Sequence, residues 1–365
     1  MIKNVRGYKW LVGGIVGVSL LGACGAPAEG EDATMVQDQA AGDVTVSLSV
    51  AKSSLSAREN VEATLTFTNT SSQPVQLLKW FLPGEGVKEG LFEVTRNGEP
   101  VEYLGLHAKR VAPRAEDFIT LAPGESITGT APVSGNYDLS ESGSYTIRYA
   151  AGSLQQHNMV LTKAAQLDSN LVNLWIEGRP NGQPVVQEQG VVTGQSLSYS
   201  GCTTTRQSTI SSAVSAATTY ANNTASYLNG ISSGTSRYTT WFGTYSSTNL
   251  GTARSHFTNI KSAFASAAIV VDCTCTDTGT YAYVYPTAPY KIYVCGAFWN
   301  APMTGTDSKG GTLIHEMSHF NVVASTDDWA YGQSAAKNLA ISSPSKALDN
   351  ADNHEYIAEN NPSLP

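Results

Sequence analysis

The sequence predicts a two-domain precursor, an N-terminal antiparallel β-sandwich followed by a C-terminal helix-rich α+β domain. Three observations predict it. Between residues 44 and 178, short runs of alternating polarity recur between Pro, Gly, Asn and Ser, the pattern of half-buried strands. Residues 177–201, EGRPNGQPVVQEQGVVTGQSLSYSG, lose that period and read as an exposed linker. Beyond them come long Ala-, Ser- and Thr-rich segments of helical character. The size agrees, because 365 residues with 41% hydrophobic and 14% charged side chains can bury two cores. With 22 basic and 30 acidic residues the formal charge is -8, which speaks against a nucleic-acid surface and suits cationic substrates.

From the N-terminus, Lys3, Arg6 and Lys9 precede the apolar run WLVGGIVGVSLL, which is about half of what a spanning helix needs. It ends in Leu21-Gly22-Ala23-Cys24, which resembles a bacterial lipobox. Residues 1–24 are therefore expected to be an export signal with Cys24 lipidated, the alternative being a cut after Ala28. The only expected membrane contact is that N-terminal anchor. Small, acidic residues 25–43 read as a flexible tether. The sandwich, residues 44–178, takes its strands from VTVSLSV, VEATLTFTN, PVQLLKWFL, LFEVTR, ITLAPGESITGTAPV and SYTIRYAA. After a cleavable linker at 179–198, residues 199–365 open with the helices RQSTISSAVSAATTYANNTASYLNG and ARSHFTNIKSAFASA. The strands TYAYVYP and KIYVCGAF follow. A third helix begins near residue 312, and AYGQSAAKNLAI and SKALDNADNHEYIAEN supply two more. Cys202, Cys273, Cys275 and Cys295 suit an oxidising compartment. A bridge between Cys273 and Cys275 would close a strained loop, leaving two pairings. We expect Cys202 with Cys273 and Cys275 with Cys295.

The chemistry concentrates in residues 312–332, TLIHEMSHFNVVASTDDWAYG. On a helix His315 and His319 project side by side, about 6 Å apart along the axis, and can grip one ion. Glu316 then stands where it could take a proton from water activated by a metal. Such a zinc site needs a third protein ligand and an open position. Val322 and Ser325 exclude the pattern in which a glycine and a third histidine follow. Glu355, Glu359 and Asp328 remain as candidates. His107, His157, His256 and His354 lack such partners and read as ordinary hydrogen-bonding residues, and Asp327 as a neighbour of Asp328.

Ser325-Thr326-Asp327-Asp328-Trp329-Ala330-Tyr331-Gly332 resembles the G-T-x-D-x-x-Y-G signature of deuterolysin-type aspzincin endopeptidases, with Ser325 departing from the first glycine. YTTWFG, DCTCT, YAYVYP, VCGAFW, TGTD and NADNHEY extend the resemblance, over residues 199–365, to the peptidyl-Lys metalloendopeptidase branch. The resemblance implies a zincin-type catalytic domain holding one zinc on His315, His319 and Asp328. It also implies Glu316 as the general base, Tyr331 as a donor to the developing oxyanion, and Asp352 and Glu355 as the receptor for a substrate lysine. The implied substrates are proteins or peptides, cut on the amino side of lysine. The sandwich would be a propeptide inhibiting its own enzyme, and the mature domain would start near Ser198 or Tyr199 and be secreted. Two alternatives stand beside this expectation, a protease of broad specificity and an inactive surface lipoprotein that binds a partner.

Overall fold

The computed structural model of the chain describes residues 43–83, 90–153, 166–179 and 196–365. The expected signal segment, Cys24, nearly all of the tether and most of the linker lie outside the described residues, as does His157. Among the described residues no helix is long and apolar enough to cross a membrane.

The N-terminal region is β-rich. Its strands are β1 (Val44–Val50), β2 (Ser54–Leu55), β3 (Glu62–Asn69), β4 (Val75–Leu78), β5 (Phe92–Arg96), β6 (Glu99–Pro100), β7 (His107–Arg110), β8 (Phe118–Leu121), β9 (Ser126–Pro132), β10 (Gly143–Ser153), β11 (Gln166–Asp168) and β12 (Val172–Ile176). One sheet runs β1-β3-β9 and a second β2-β12-β10-β5-β6, with β11 on β10 and a small β4-β8 pair alongside. Alternation sets which residues go inside. Val44, Val46 and Leu48 of β1 and Ala63, Leu65 and Phe67 of β3 share one core with Tyr145, Ile147 and Leu174 of the second sheet. Two departures from an all-antiparallel sandwich appear: β2 pairs with β12 in parallel, and β7 leaves the sandwich altogether.

The C-terminal region contains β13 (Ser196–Ser200), α1 (Thr204–Gly230), α2 (Ser236–Phe242), α3 (Ser247–Ser266), β14 (Ala268–Asp272), β15 (Thr280–Val284), β16 (Lys291–Val294), α4 (Gly296–Asn300), α5 (Lys309–His319), α6 (Gln333–Ser342), α7 (Pro344–Leu348) and α8 (Ala351–Glu359). Thr203 caps α1 by accepting from Arg206 N, and Ile210, Ala213, Val214, Ala217, Ala221, Ala225 and Leu228 form its buried stripe at helical spacing. The sheet order is β13-β14-β16-β15-β7, parallel from β13 to β16 and antiparallel at β15 and β7. Sequence pattern does not mark strands β13 and β14 or helix α2, and the run KIYVCGAF is a strand only to Val294, its residues 296–298 opening helix α4. The AIVV core of β14 is a short apolar run between a helix and a disulfide, with no alternation to mark it. The stretch SKALDNADNHEYIAEN is two helices, not one, broken at Asp349 and Asn350 because the Asn350 side chain bonds another loop. Cys202 joins Cys273, and Cys275 joins Cys295, pinning β13 and α4 to the loop after β14.

Candidate active site

Helix α5 is buried along its whole length, and its capping residue Ser308 accepts a hydrogen bond from Gly311 N. Glycine costs helical stability, yet here it is required by space. A Cβ on Gly310 would stand 2.9 Å from Cβ of Ala216 in α1, and one on Gly311 would stand 2.1 Å from Oε1 of Glu359 in α8. The two glycines let α1 and α8 close on α5, which carries His315, Glu316 and His319 on its last turns, all fully buried.

The loop after α5 brings Asp328 back to those histidines. Ser325 takes the left-handed backbone, at φ 54°, where the resembling signature has glycine. Thr326 N then donates to Ser318 O at 3.1 Å, and the two hydroxyls meet at 2.6 Å. Asn350 holds the far side, its Oδ1 accepting from Trp329 N at 2.7 Å and Ala330 N at 3.0 Å while its Nδ2 donates to Ala330 O at 3.1 Å. Asp328 Oδ1 consequently lies 3.2 Å from His315 Nε2, and Oδ2 lies 3.5 Å from His319 Nε2. Donor atoms around one tetrahedral zinc stand roughly 3.3 Å apart.

The donor set fits that ion in other respects. His315 Nε2, His319 Nε2 and both Asp328 oxygens are buried without hydrogen-bond partners, a costly arrangement unless a cation joins them. The outer nitrogen of each ring meets an oxygen, as ligand imidazoles require: His315 Nδ1 is 2.9 Å from Asp352 Oδ1, and His319 Nδ1 is 2.6 Å from Thr326 O. Burial pulls the His315 imidazole down, but the Asp328 and Asp352 carboxylates outweigh it and push it up to about 10. Burial pushes the Glu316 carboxyl up to about 8. Of the other candidates for third ligand, Glu355 reaches only the outer nitrogen of His315, its Oε2 3.6 Å from Nδ1, and Glu359 turns elsewhere. Glu355 Oε2 lies 2.6 Å from Lys109 Nζ, and Glu359 Oε1 accepts from Ser308 N at 2.8 Å and Ser308 Oγ at 2.7 Å.

A strand of the N-terminal region fills the cleft. Strand β7 of the N-terminal region lies antiparallel on β15, with Val284 opposite His107, Tyr283 opposite Ala108 and Ala282 opposite Lys109. Lys109 Nζ enters an acidic pocket, 2.6 Å from Glu355 Oε2, 3.2 Å from Asp352 Oδ1 and 3.2 Å from Asp307 Oδ1. The rings of Tyr281 and Tyr356 flank it at 5.3 and 5.5 Å. Burial opposes its charge, but Asp352 and Glu355 raise its pKa well above the usual lysine range. Lys109 N donates to Glu316 Oε1 at 3.3 Å. His107, read as an ordinary histidine, instead stacks on His319 with ring centroids 4.6 Å apart.

Tyr331 is buried, and its ring meets Trp80 of the N-terminal region edge-on at 5.5 Å. His256 Nδ1 and His354 Nε2 pair at 2.9 Å, and His354 Nδ1 lies 3.0 Å from Asn350 O. The signal for His107 and Lys109 was faint: a lysine outside every recognised strand run, in a chain whose motifs resemble those of lysine-directed enzymes.

Comparison with known proteins shows what the chain is similar to. Residues 227–359 match the aspzincin M35 family model, described as lysine-specific metallo-endopeptidase. An extracellular protease of Aeromonas hydrophila is 47% identical over 84% of this chain and 89% of its own. A peptidyl-Lys metalloendopeptidase of Armillaria mellea is 39% identical over 88% of this chain and 93% of its own. A solved zinc peptidase of Grifola frondosa, 51% identical, covers 45% of this chain and 100% of its own, with a TM-score of 0.44.

Proposed function

We infer from the aspzincin M35 family, to which the chain belongs, that this zinc metalloendopeptidase is made as a latent precursor and cuts proteins on the amino side of lysine. The observation that carries the specificity is Lys109. Its ammonium stands among Asp352, Glu355 and Asp307 while its own backbone nitrogen touches Glu316. A substrate lysine in that place would offer its amide nitrogen, the leaving group of amino-side cleavage, to the one carboxylate able to return a proton to it. The compact ammonium fits between carboxylates on a long stem, whereas arginine's broad planar head needs a wider fork.

His315, His319 and Asp328 would hold the zinc. The ion supplies Lewis acidity that polarises the scissile carbonyl and acidifies water. Glu316, kept in a dry place on α5, accepts a proton from water and passes it to the leaving nitrogen. His315 is steadied by Asp352, so one residue serves both the metal centre and the lysine pocket. Tyr331 would donate to the oxyanion once Trp80 no longer covers it. Residues 44–178 are the propeptide on this reading, and the linker at 179–198 is where it is cut. Lys163 is the last lysine before that linker, so making the mature terminus requires another protease or a relaxed specificity. A start at Ser198 or Tyr199 would trim β13, whose pairing with β14 begins at Ser196. The name of the Aeromonas relative supports work outside the cell.

Peptide-library digestion by the processed enzyme tests specificity. Wild type is expected to place lysine after the cut bond with arginine poorly accepted, and Asp352→Asn with Glu355→Gln to lose that selection. Undiminished preference in the double variant would move the pocket elsewhere. Equal use of all residues by wild type would return the enzyme to the broad-specificity class.

A further inference from the structure

Beyond the lysine pocket, strand β7 also reaches the metal centre. His107 is 5% exposed, and its Nδ1 is buried without a hydrogen-bond partner, 4.0 Å from Asp328 Oδ2. Donor atoms of His107, His319 and Asp328 all lie within 4.8 Å of one another. The other ring nitrogen, Nε2, faces Asp327 Oδ1 at 3.6 Å. This repeats the arrangement of His315 and His319, in which one nitrogen turns to the centre and the other to an oxygen. The Tyr103 ring backs the imidazole edge-on at 5.3 Å, His319 covers a face at 4.6 Å, and the backbone is fixed opposite Val284.

The geometry points to His107 as a fourth protein ligand of the zinc in the uncut precursor, an inference that rests on the metal site proposed above. Catalytic zinc sites keep one position open, and sites closed by four protein ligands serve structure. His107 therefore converts the catalytic centre into a closed one for as long as β7 stays on β15. Lys109 and His107 are two residues apart, so both project from the same face of the strand. One fills the lysine pocket while the other fills the metal's vacancy. The precursor is then blocked at the metal itself as well as by a chain lying across the cleft. Removal of the propeptide would expose the metal and the pocket together.

The test uses zinc-loaded full-length precursor, purified away from any processing protease and carrying Glu316→Gln so that it cannot cut itself. X-ray absorption should count three imidazoles around the zinc, and two when His107→Gln is added. Transfer of zinc to a chromophoric chelator should become roughly ten- to a hundredfold faster in the His107→Gln precursor. Two imidazoles in the parent precursor would overturn the proposal, and that spectrum needs no variant to fold. Unchanged scattering and transfer rate on replacing His107 would overturn it equally. His319→Ala is the control for the underlying site. If it too left zinc coordination unchanged, the metal site would be misplaced, whereas zinc loss in His319→Ala alone would reject only the role of His107.

Discussion

At the scale of single residues, proximity divides the labour between Asp328 and Glu316. Asp328 faces both histidine nitrogens at 3.2 and 3.5 Å, while Glu316 faces the nitrogen of the residue seated as substrate. Glu316→Gln is accordingly expected to keep its zinc and lose turnover by about 10²–10⁴-fold, the usual worth of a positioned proton carrier. Asp328→Ala should lose zinc as well as activity, since it removes a ligand. Metal analysis beside a peptidase assay separates the two, and full zinc retention in Asp328→Ala would return the third-ligand role to Glu355 or Glu359. Asn350 is the quieter member of the site. Its amide holds the backbone at Trp329 and Ala330, one and two residues beyond Asp328, so Asn350→Ala would leave the buried Ala330 N–H and the part-buried Trp329 N–H unpaired and should loosen the ligand loop.

At the scale of elements, β7 belongs to the first half of the chain by sequence and to the second half's sheet by hydrogen bonding. Adding a strand to an exposed sheet edge is how extended peptides bind, with backbone pairing for affinity and alternate side chains for selection. Lys109 is the anchor, and its loss would leave Asp352 and Glu355 buried without their counter-charge, which costs about 3–5 kcal/mol where a buried pair is broken. Lys109→Ala precursor is expected to melt earlier and, before any cut, to hydrolyse a lysine peptide faster than wild-type precursor. An unaltered melting curve and unaltered latency would show that the backbone ladder alone holds the strand. The same element shows what a sequence can and cannot reveal. His315, Glu316 and His319 were legible because a helix turns local spacing into geometry, whereas spacing left Asp328 one of three candidates and only the resemblance of its loop to a family signature favoured it. His107 and Lys109 were not, since their meaning comes from register with β15, more than 170 residues further on, and no local period encodes a partner that distant. The break between α7 and α8 was hidden for a related reason. Asn350 interrupts the helical stretch to serve a loop 20 residues earlier.

At the scale of the whole molecule, the proposed inhibitor and its enzyme are one chain, and the proposed cut falls in their connection at residues 179–198. Cutting there breaks one covalent link and none of the contacts of β7, Lys109 or Trp80. While the link is intact, the proposed inhibitory half sits at an effective concentration on the order of millimolar, fixed by the linker and indifferent to the surroundings. Afterwards its occupancy follows ordinary mass action. On the proposed maturation the cut would therefore arm the enzyme without firing it, and volume would do the rest. In a confined compartment the two halves stay paired, and after release into a large external volume they part and do not meet again. A nicked sample diluted in steps should gain activity per molecule as the concentration falls below the dissociation constant of the halves, and lose it again on reconcentration. Constant specific activity across the dilution series would mean that cutting alone empties the cleft.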